Sequence, residues 1–584
     1  MTTVRTLTCN LTCVLLMAGV ASAQNGSDHF RKQDTRKIDH SSLLSIHQER
    51  PDDQPIPLPP LQLTSPAGRY MRDGFSSIQV NVNANGENII GDAGNEPSIA
   101  VDPTNPDRIV IGWRQFDNVS SNFRQAGYAY SNDGGRTWTF PGVIEPGVFR
   151  SDPVIAADSS GKFYYNSLTA DANFNNFWCH VFRSDNGGST WDGGTYAYGG
   201  DKQWMTIDRT GGVGEGNIYC AWTYFFSICN GAFTRSTDGG NSFETCRDIP
   251  RDPMWLSLDV DASGDLYIGG LDWWTGEFVI AKSTNAKFAG STPSFSLSRT
   301  VNMGGNPISG TGPNPDGLLG QIWVAADRSN GPTAGNVYML TVVDPAGSDS
   351  ADVMIARSTD GGNSWSSPVR VNDVRTGWQW FGTMSVAPNG RIDVVWNDTR
   401  NAGGGYDSEL YYSFSTDGGA TWAASIPLGP AWDPHVGWPN QNKVGDYYHM
   451  VSDNVGADLA YAATYNGEQD VYYLRIGERD CNMNGLGDET EIAQGLTQDC
   501  NGNGIPDSCD IADGRSLDDN GNGIPDECDS LCSGDLDGDG DTDQADLGIL
   551  LSAYLNNAQG DLDGDGDTDQ ADLGLLLSDF GCGS

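Results

Sequence analysis

From about Phe75 to Glu478 the chain is a succession of short runs in which apolar and polar residues alternate, each bounded by Gly, Asp, Asn or Pro. Alternation of period two over five to eight residues predicts half-buried strands rather than helices. The runs group into a longer unit: an apolar strand ending near Asp, a turn, and a second strand ending in an aromatic. That unit begins seven times, at 97–113, 153–166, 203–222, 254–270, 321–340, 382–396 and 446–463. A spacing of roughly 50 to 65 residues is the length of one four-stranded propeller blade. The predicted fold is therefore mainly β, a seven-bladed propeller, with six blades as the alternative. The seventh unit has three strands, closing with Asp470 to Ile476, and an orphan strand at Ile78–Asn83 precedes the first. If that strand completes the last blade, the ring closes with no exposed edge.

The second half of five of the seven units carries an octet: Ser131 to Trp138 (SNDGGRTW), Ser184 to Trp191 (SDNGGSTW), Ser236 to Phe243 (STDGGNSF), Ser358 to Trp365 (STDGGNSW) and Ser415 to Trp422 (STDGGATW). Ser and Asp side chains bond the turn's own backbone, the Gly pair supplies positive φ, and the terminal aromatic offers apolar surface to a neighbouring sheet. The octet resembles the Asp-box of sialidases and their propeller relatives, in which it is a structural turn away from the catalytic face. Asn186 and Phe243 depart from it, and an eroded copy starts at Ser283-Thr284-Asn285.

Aligning the seven first strands puts Glu96, Asp152, Lys202, Pro253, Gln321, Phe381 and Asp446 at the leading position beside the axis, with Asp201, Asp252, Arg150, Arg251, Trp380 and Tyr447 close by. Asp446, Glu96 and Asp152 then form one acidic arc. Such carboxylates can serve a glycosidase as acid and base, or hold a cation. The candidate catalytic set is Glu96, Asp152, Asp446, Tyr447 and Arg150. The sialidase resemblance implies three arginines, a Tyr/Glu nucleophile pair and an acid/base Asp. Its N-terminal aromatic-Arg-Ile-Pro motif is missing, and Arg114 and Arg150 are the candidate substitutes, which the spacing does not single out.

Charge separates the tail from the rest. The net charge is −44, which argues against nucleic acid or anionic lipid as a partner. From Asp480 onward 26 acidic residues face one basic residue, Arg515, a density that repels itself unless cations neutralise it. Three segments with a 19-residue period offer Asp480, Asn482, Asn484, Asp488 and Glu491; Asp499, Asn501, Asn503, Asp507 and Asp510; and Asp518, Asn520, Asn522, Asp526 and Asp529. A duplicated pair of loops follows, with Asp535, Asp537, Asp539, Asp543 and Asp546, then Asp561, Asp563, Asp565, Asp569 and Asp572. Asp541 and Asp567 supply backbone carbonyls at position seven. Oxygen ligands at one, three, five, nine and twelve, with Gly at six, are what Ca²⁺ requires. An amphipathic helix is predicted after each duplicated loop. The 19-residue segments resemble thrombospondin type 3 repeats. The duplicated loops resemble a dockerin type I module, an EF-hand-like calcium-dependent plug that implies a cohesin partner.

Arg5, the apolar run Leu11–Val20 and Ala21-Ser22-Ala23 read as a secretory signal cleaved after Ala23, and no other apolar run is long enough to span a bilayer. Export leaves ten of the 12 cysteines, for which disulfides are the default. The expected organisation is a leader at 1–23, a polar, Pro-rich spacer at 24–74, the propeller at 75–478, calcium repeats at 479–531 and the dockerin-like module at 532–584. Two functions fit: an exported sialidase-like glycoside hydrolase acting on extracellular glycans or polysaccharides, or a non-catalytic propeller that binds a glycan or protein.

Overall fold

The computed structural model describes residues 55–582 apart from 225–226, 519–520 and 529–531. The expected leader and the expected ligands Asn520 and Asp529 lie outside the described residues. The chain divides into two compact units at Gly477/Glu478, one residue from the expected boundary.

The first unit is a seven-bladed propeller. Its innermost strands are Ala93–Asp102, Ser151–Ala157, Trp204–Ile207, Pro253–Val260, Trp323–Ala326, Gln379–Val386 and His449–Ser452. Each packs against the innermost strand of the next blade, and the seventh packs back on the first. Blades one, two, four and six are plain four-stranded antiparallel sheets, while the third has three strands and an isolated bridge from Phe233 to Arg247 in the fourth position. The Cys229–Cys246 disulfide lies at that irregular edge.

Ring closure follows the expected scheme with a shifted strand. The N-terminal strand is Phe75–Gln79, and Ser77, Ile78 and Gln79 pair with Leu474, Tyr473 and Tyr472. Pairing ends there because Asn81 uses its side chain in place of the ladder: its Nδ2 donates to Asp470 (2.7 Å) and its Oδ1 accepts from Val471 N (2.9 Å). A further strand, Arg69–Arg72, lies on the outer edge of the same blade, and Thr64–Pro66 pairs with Glu87–Ile89. Residues 64–72, expected as spacer, are thus part of the sheet system. Tyr70 supplies the apolar anchor, its ring 4.5 Å from Tyr465 and 5.8 Å from Tyr472.

The octets behave as their composition demands. In the first, Ser131 Oγ donates to Asp133 (2.7 Å) and accepts from Gly135 N (2.8 Å), while Asp133 accepts from Thr137 N (2.9 Å). Asn186 keeps the same turn by accepting from Thr190 N at 3.1 Å. Gly135 has φ +80°, and a Cβ there would meet the Tyr473 ring at 2.3 Å, so only glycine fits. The terminal indoles fill gaps between blades: Trp138 lies 5.2 Å from Tyr473, and Trp191 lies 5.7 Å from both Tyr128 and Tyr165.

In the second unit, helices at Asp488–Ala493 and Asp507–Ala512 sit within the 19-residue segments, and helices at Gln544–Ala553 and Gln570–Asp579 follow the duplicated loops. Disulfides Cys481–Cys509 and Cys500–Cys528, each spanning 28 residues, staple one segment to the next, and Cys532–Cys582 closes the module.

Of the ten cysteines expected to pair, eight do. Cys179 and Cys220 are free and buried, and burial raises both thiols above their ordinary value. Thiol titration of a preparation starting at Gln24 is expected to find none reactive in the native protein and two after unfolding; zero after unfolding would mean that they pair.

Candidate functional site

Four innermost strands, in blades one, two, four and six, carry a bulge in which one residue turns to positive φ: Glu96 (49°), Asp152 (46°), Trp255 (54°) and Phe381 (56°). Lys202, at 55°, takes the same conformation just ahead of the third blade's strand. The bulge breaks the pleat and re-aims a side chain. Glu96, Asp152, Lys202 and Phe381, aligned in the sequence, thus share one backbone conformation. In the fourth blade the equivalent residue is Trp255, two positions beyond the expected Pro253, which pairs in register with Asp272.

Glu96, Asp152 and Asp446 do converge, but on cations rather than on open space. Lys202 Nζ bonds Asp446 and lies 3.9 Å from Asp152. Lys443 Nζ lies 2.7 Å from Asp446 and 3.5 Å from Glu96, whose Oε1 also meets Arg114 Nη2 at 3.1 Å. Every side chain in this cluster is 0–4 % exposed. Backbone donors complete it: Lys202 N donates to Asp152 (2.9 Å) and Leu318 N to Asp446 Oδ1 (2.8 Å).

A hairpin of Ser309–Thr311 and Asn314–Leu318 seals the cluster from the face where the innermost strands begin. Asn314 accepts from Val444 N (2.9 Å) and donates to Gly445 O (2.8 Å), and Asp316 N donates to Asn442 O. Below the charges the axis is filled by Trp204, Trp323, Tyr447 and His449, with Trp204 4.9–5.2 Å from the other three rings.

Protonation follows from these surroundings. Burial drives Glu96 up to about 8, against the pull of Arg114 and Lys202. Burial alone would also raise Asp152, but Lys202 and Arg114 outweigh it and hold that carboxyl below its usual range. Lys443 falls to about 8 by burial. Asp201, also buried, is pushed up to about 7.

Two expected catalytic groups are otherwise engaged. Tyr447 donates its hydroxyl to Pro153 O at 2.9 Å, and burial raises its pKa well above the ordinary value. Arg150 pairs with Glu145, contacts His180 Nδ1 at 3.2 Å and lies over the Phe182 ring at 4.9 Å. Arg251 is taken up by Asp272, Glu277 and Thr300. Lys443 and the Asn314 hairpin were not foreseen. Their only sequence sign is a lone lysine three residues before Asp446 and a Gly/Pro/Asn-rich insertion ahead of the fifth blade.

His449 is fixed by the first blade: Ile99 N donates to its Nδ1 at 3.2 Å, which leaves the proton of the neutral ring on Nε2. Burial lowers its pKa from 6.5 to about 4. Unfolding restores the ordinary value, so the unfolded chain binds more protons between the two; the stabilisation is complete above 6.5 and is lost as pH falls through about 4. An NMR titration is expected to show this imidazole neutral down to about pH 4; a midpoint near 6.5 would contradict its desolvation between Trp204 and Trp323.

In the second unit, carboxylate oxygens of Asp535, Asp537 and Asp539 lie within 4.8 Å of one another, as do those of Asp541, Asp543 and Asp546, and of Asp561, Asp563 and Asp572. Gly540 and Gly566, at loop position six, have φ of 97° and 98°. Asp543 and Asp569 cap the following helices, each in a capping box with Asp546 or Asp572. Asp480 and Asp499 accept from Gly485 N and Gly504 N, as Asp535 and Asp561 do from Gly540 N and Gly566 N, whereas Glu491 and Asp510 accept from the asparagine amides of their own segments. An array of hard oxygens around a sharp glycine turn suits a hard divalent cation.

No protein-family model and no curated protein matches the chain. Among solved structures it is similar to a protein of unknown function from Dyadobacter fermentans DSM 18053, at 14% identity over 69% of this chain and 98% of that one, with a TM-score of 0.39. It is likewise similar to YCF48 bound to D1 peptide (12%; 71% and 99%; 0.37) and to the leech intramolecular trans-sialidase (12%; 66% and 68%; 0.34). At these values no activity carries over.

Proposed function

We propose that this chain is an exported binding propeller rather than a hydrolase, attached to its partner through a calcium-dependent C-terminal module. The observation that carries this reading is the engagement of the axial carboxylates: Asp446 by two lysines and Leu318 N, Glu96 by Arg114 and Lys443, and Asp152 by Lys202 N. A glycosidase needs one carboxylic acid and one carboxylate open to a sugar with room between them. Here both are buried beneath a hydrogen-bonded hairpin. Calcium would be held by Asp535, Asp537, Asp539, Asp543 and Asp546, with Asp561, Asp563, Asp565, Asp569 and Asp572 in the duplicate. There it would neutralise the ladder and fix the helix that follows. Disulfide density in a small acidic unit supports an extracellular setting.

A specific observation favours the second reading, a sialidase-like hydrolase: Glu96 is shifted up to about 8 while Asp152 is held low, and carboxyls pushed apart are how acid and base roles are assigned. That reading requires the Asn314 hairpin to leave the axis. Incubation with an array of acidic and neutral glycans, followed by mass analysis, separates the two. Retention with glycan masses unchanged is expected; trimmed glycans would overturn the binding assignment.

A further inference from the structure

Toward the far end of the axis, where the innermost strands finish, side chains are less completely buried. Val101, Ala156, Thr206 and Val451 lie on innermost strands between buried neighbours, yet each is partly exposed, and so is His449. The charged cluster and its hairpin lie at the other end, so the exposure of these side chains is on the far side. Trp204 and Trp323, both 4 % exposed, flank His449 at the inner end of this part-exposed stretch.

The two blades that supply those tryptophans carry the same segment. Trp204-Met-Thr-Ile-Asp-Arg209 and Trp323-Val-Ala-Ala-Asp-Arg328 each end in an exposed arginine five residues beyond the indole, roughly 16 Å along an extended chain. The fourth blade stands between them, and its Asp259 binds only one of the pair: Arg328 Nη1 donates to Asp259 Oδ1 at 2.8 Å, while Ala326 N occupies Oδ2 at 2.8 Å. Among the described residues no hydrogen bond or ion pair engages Arg209. Its pKa is lowered, first by the surrounding protein and then by the neighbouring Arg328 charge.

The nearby carboxylates Asp259, Glu215 and Asp158 offset this only in part. Asp158 accepts from Ser160 N, Lys162 N and Tyr164 OH. Glu215 accepts from Ser159 Oγ on one oxygen and Gly211 N on the other. Asp261 accepts from Ser263 N, Asp265 N and Tyr267 OH. Each is filled by donors of its own or an adjacent turn, whereas the guanidinium is not. In a chain of net charge −44, two arginines placed side by side with one unengaged are arranged to receive an anion.

We propose that the far mouth of the propeller axis binds an oxyanion, a carboxylate or sulfate group carried by a sugar, gripped at the rim by Arg209 and Arg328. The inner end then offers His449 Nε2–H as a neutral donor, and Thr206 a hydroxyl, to the rest of the ligand. This deepens the binding role proposed above and rests on it. The mouth is separate from the acidic arc, so hydrolysis at the arc would defeat that role and leave the anion site standing.

The test is calorimetric titration of the intact, calcium-loaded protein with sodium glucuronate, sodium sulfate and, at matched ionic strength, glucose. Saturable binding of at least one anion and none of glucose is expected, weakened at least tenfold in Arg209→Gln and unaltered in Arg299→Gln, an exposed arginine on the outer strand of blade four. Glucuronate binding without sulfate binding identifies a carboxylate ligand, and the converse a sulfate ester. No saturable heat with either anion, or equal affinity in Arg209→Gln with an unchanged melting temperature, overturns the proposal.

Discussion

Replacing Asp446 by asparagine is expected to lower the unfolding free energy of the propeller by about 3–5 kcal/mol, the cost of leaving a buried ion pair half broken. Asp446 is fully buried and binds both Lys202 and Lys443. Asparagine can still accept from Leu318 N, so the hairpin contact survives, but two ammonium groups are left without the charge that holds them. Urea unfolding followed by tryptophan fluorescence reads the change directly, because all 17 tryptophans precede residue 440. Adding Lys443→Met to the same chain removes one stranded charge and is expected to recover part of the loss, a coupling that a double-mutant cycle measures. A loss below about 1 kcal/mol would mean that the cluster is hydrated and loosely held.

The second large effect is expected from chelation. The duplicated loops place carboxylates within 4.8 Å of each other, and little else holds the module together: Leu550, Ala553 and Leu576 are fully buried, whereas Leu551, Leu555, Leu577 and Phe580 are 45–77 % exposed. With so small a core, a bound cation supplies folding energy outright. Removing calcium is therefore expected to abolish the helical circular dichroism of residues 544–553 and 570–579, while the near-ultraviolet tryptophan signal of the propeller stays unchanged. Asp539→Ala with Asp565→Ala should reproduce the loss in the presence of calcium. Helices that persist in excess chelator would show the Cys532–Cys582 disulfide and the leucines to be sufficient.

What could be read from the chain differs between its levels. Blade number and strand position follow from period-two patterning and the octets, because both are local: Ser131, Asp133 and Gly135 bond within one turn. The closing strand was displaced because Asn81 resembles a strand residue while its amide replaces a backbone rung. The acidic arc was legible because Glu96, Asp152 and Asp446 open equivalent strands. Its neutralisation was not, since Lys443 meets Glu96 across 347 residues of sequence and only the closed ring brings them together. The bulge in the fourth blade misled in the same way: Pro253 matches the alignment, but the backbone turns at Trp255. Tyr447 and Arg150 stand at the expected height, with their polar atoms engaged by Pro153 and Glu145.

The binding assignment requires that the axial carboxylates stay sealed beneath the Asn314 hairpin, on the face where the innermost strands begin. Turnover of a panel of aryl glycosides, sialosides included, by the wild-type protein beside Glu96→Gln and Asp152→Asn tests it most directly. No turnover by any of the three, with the variants altered in stability alone, is the predicted result. Turnover by the wild type that either substitution abolishes while the fold is retained would contradict it.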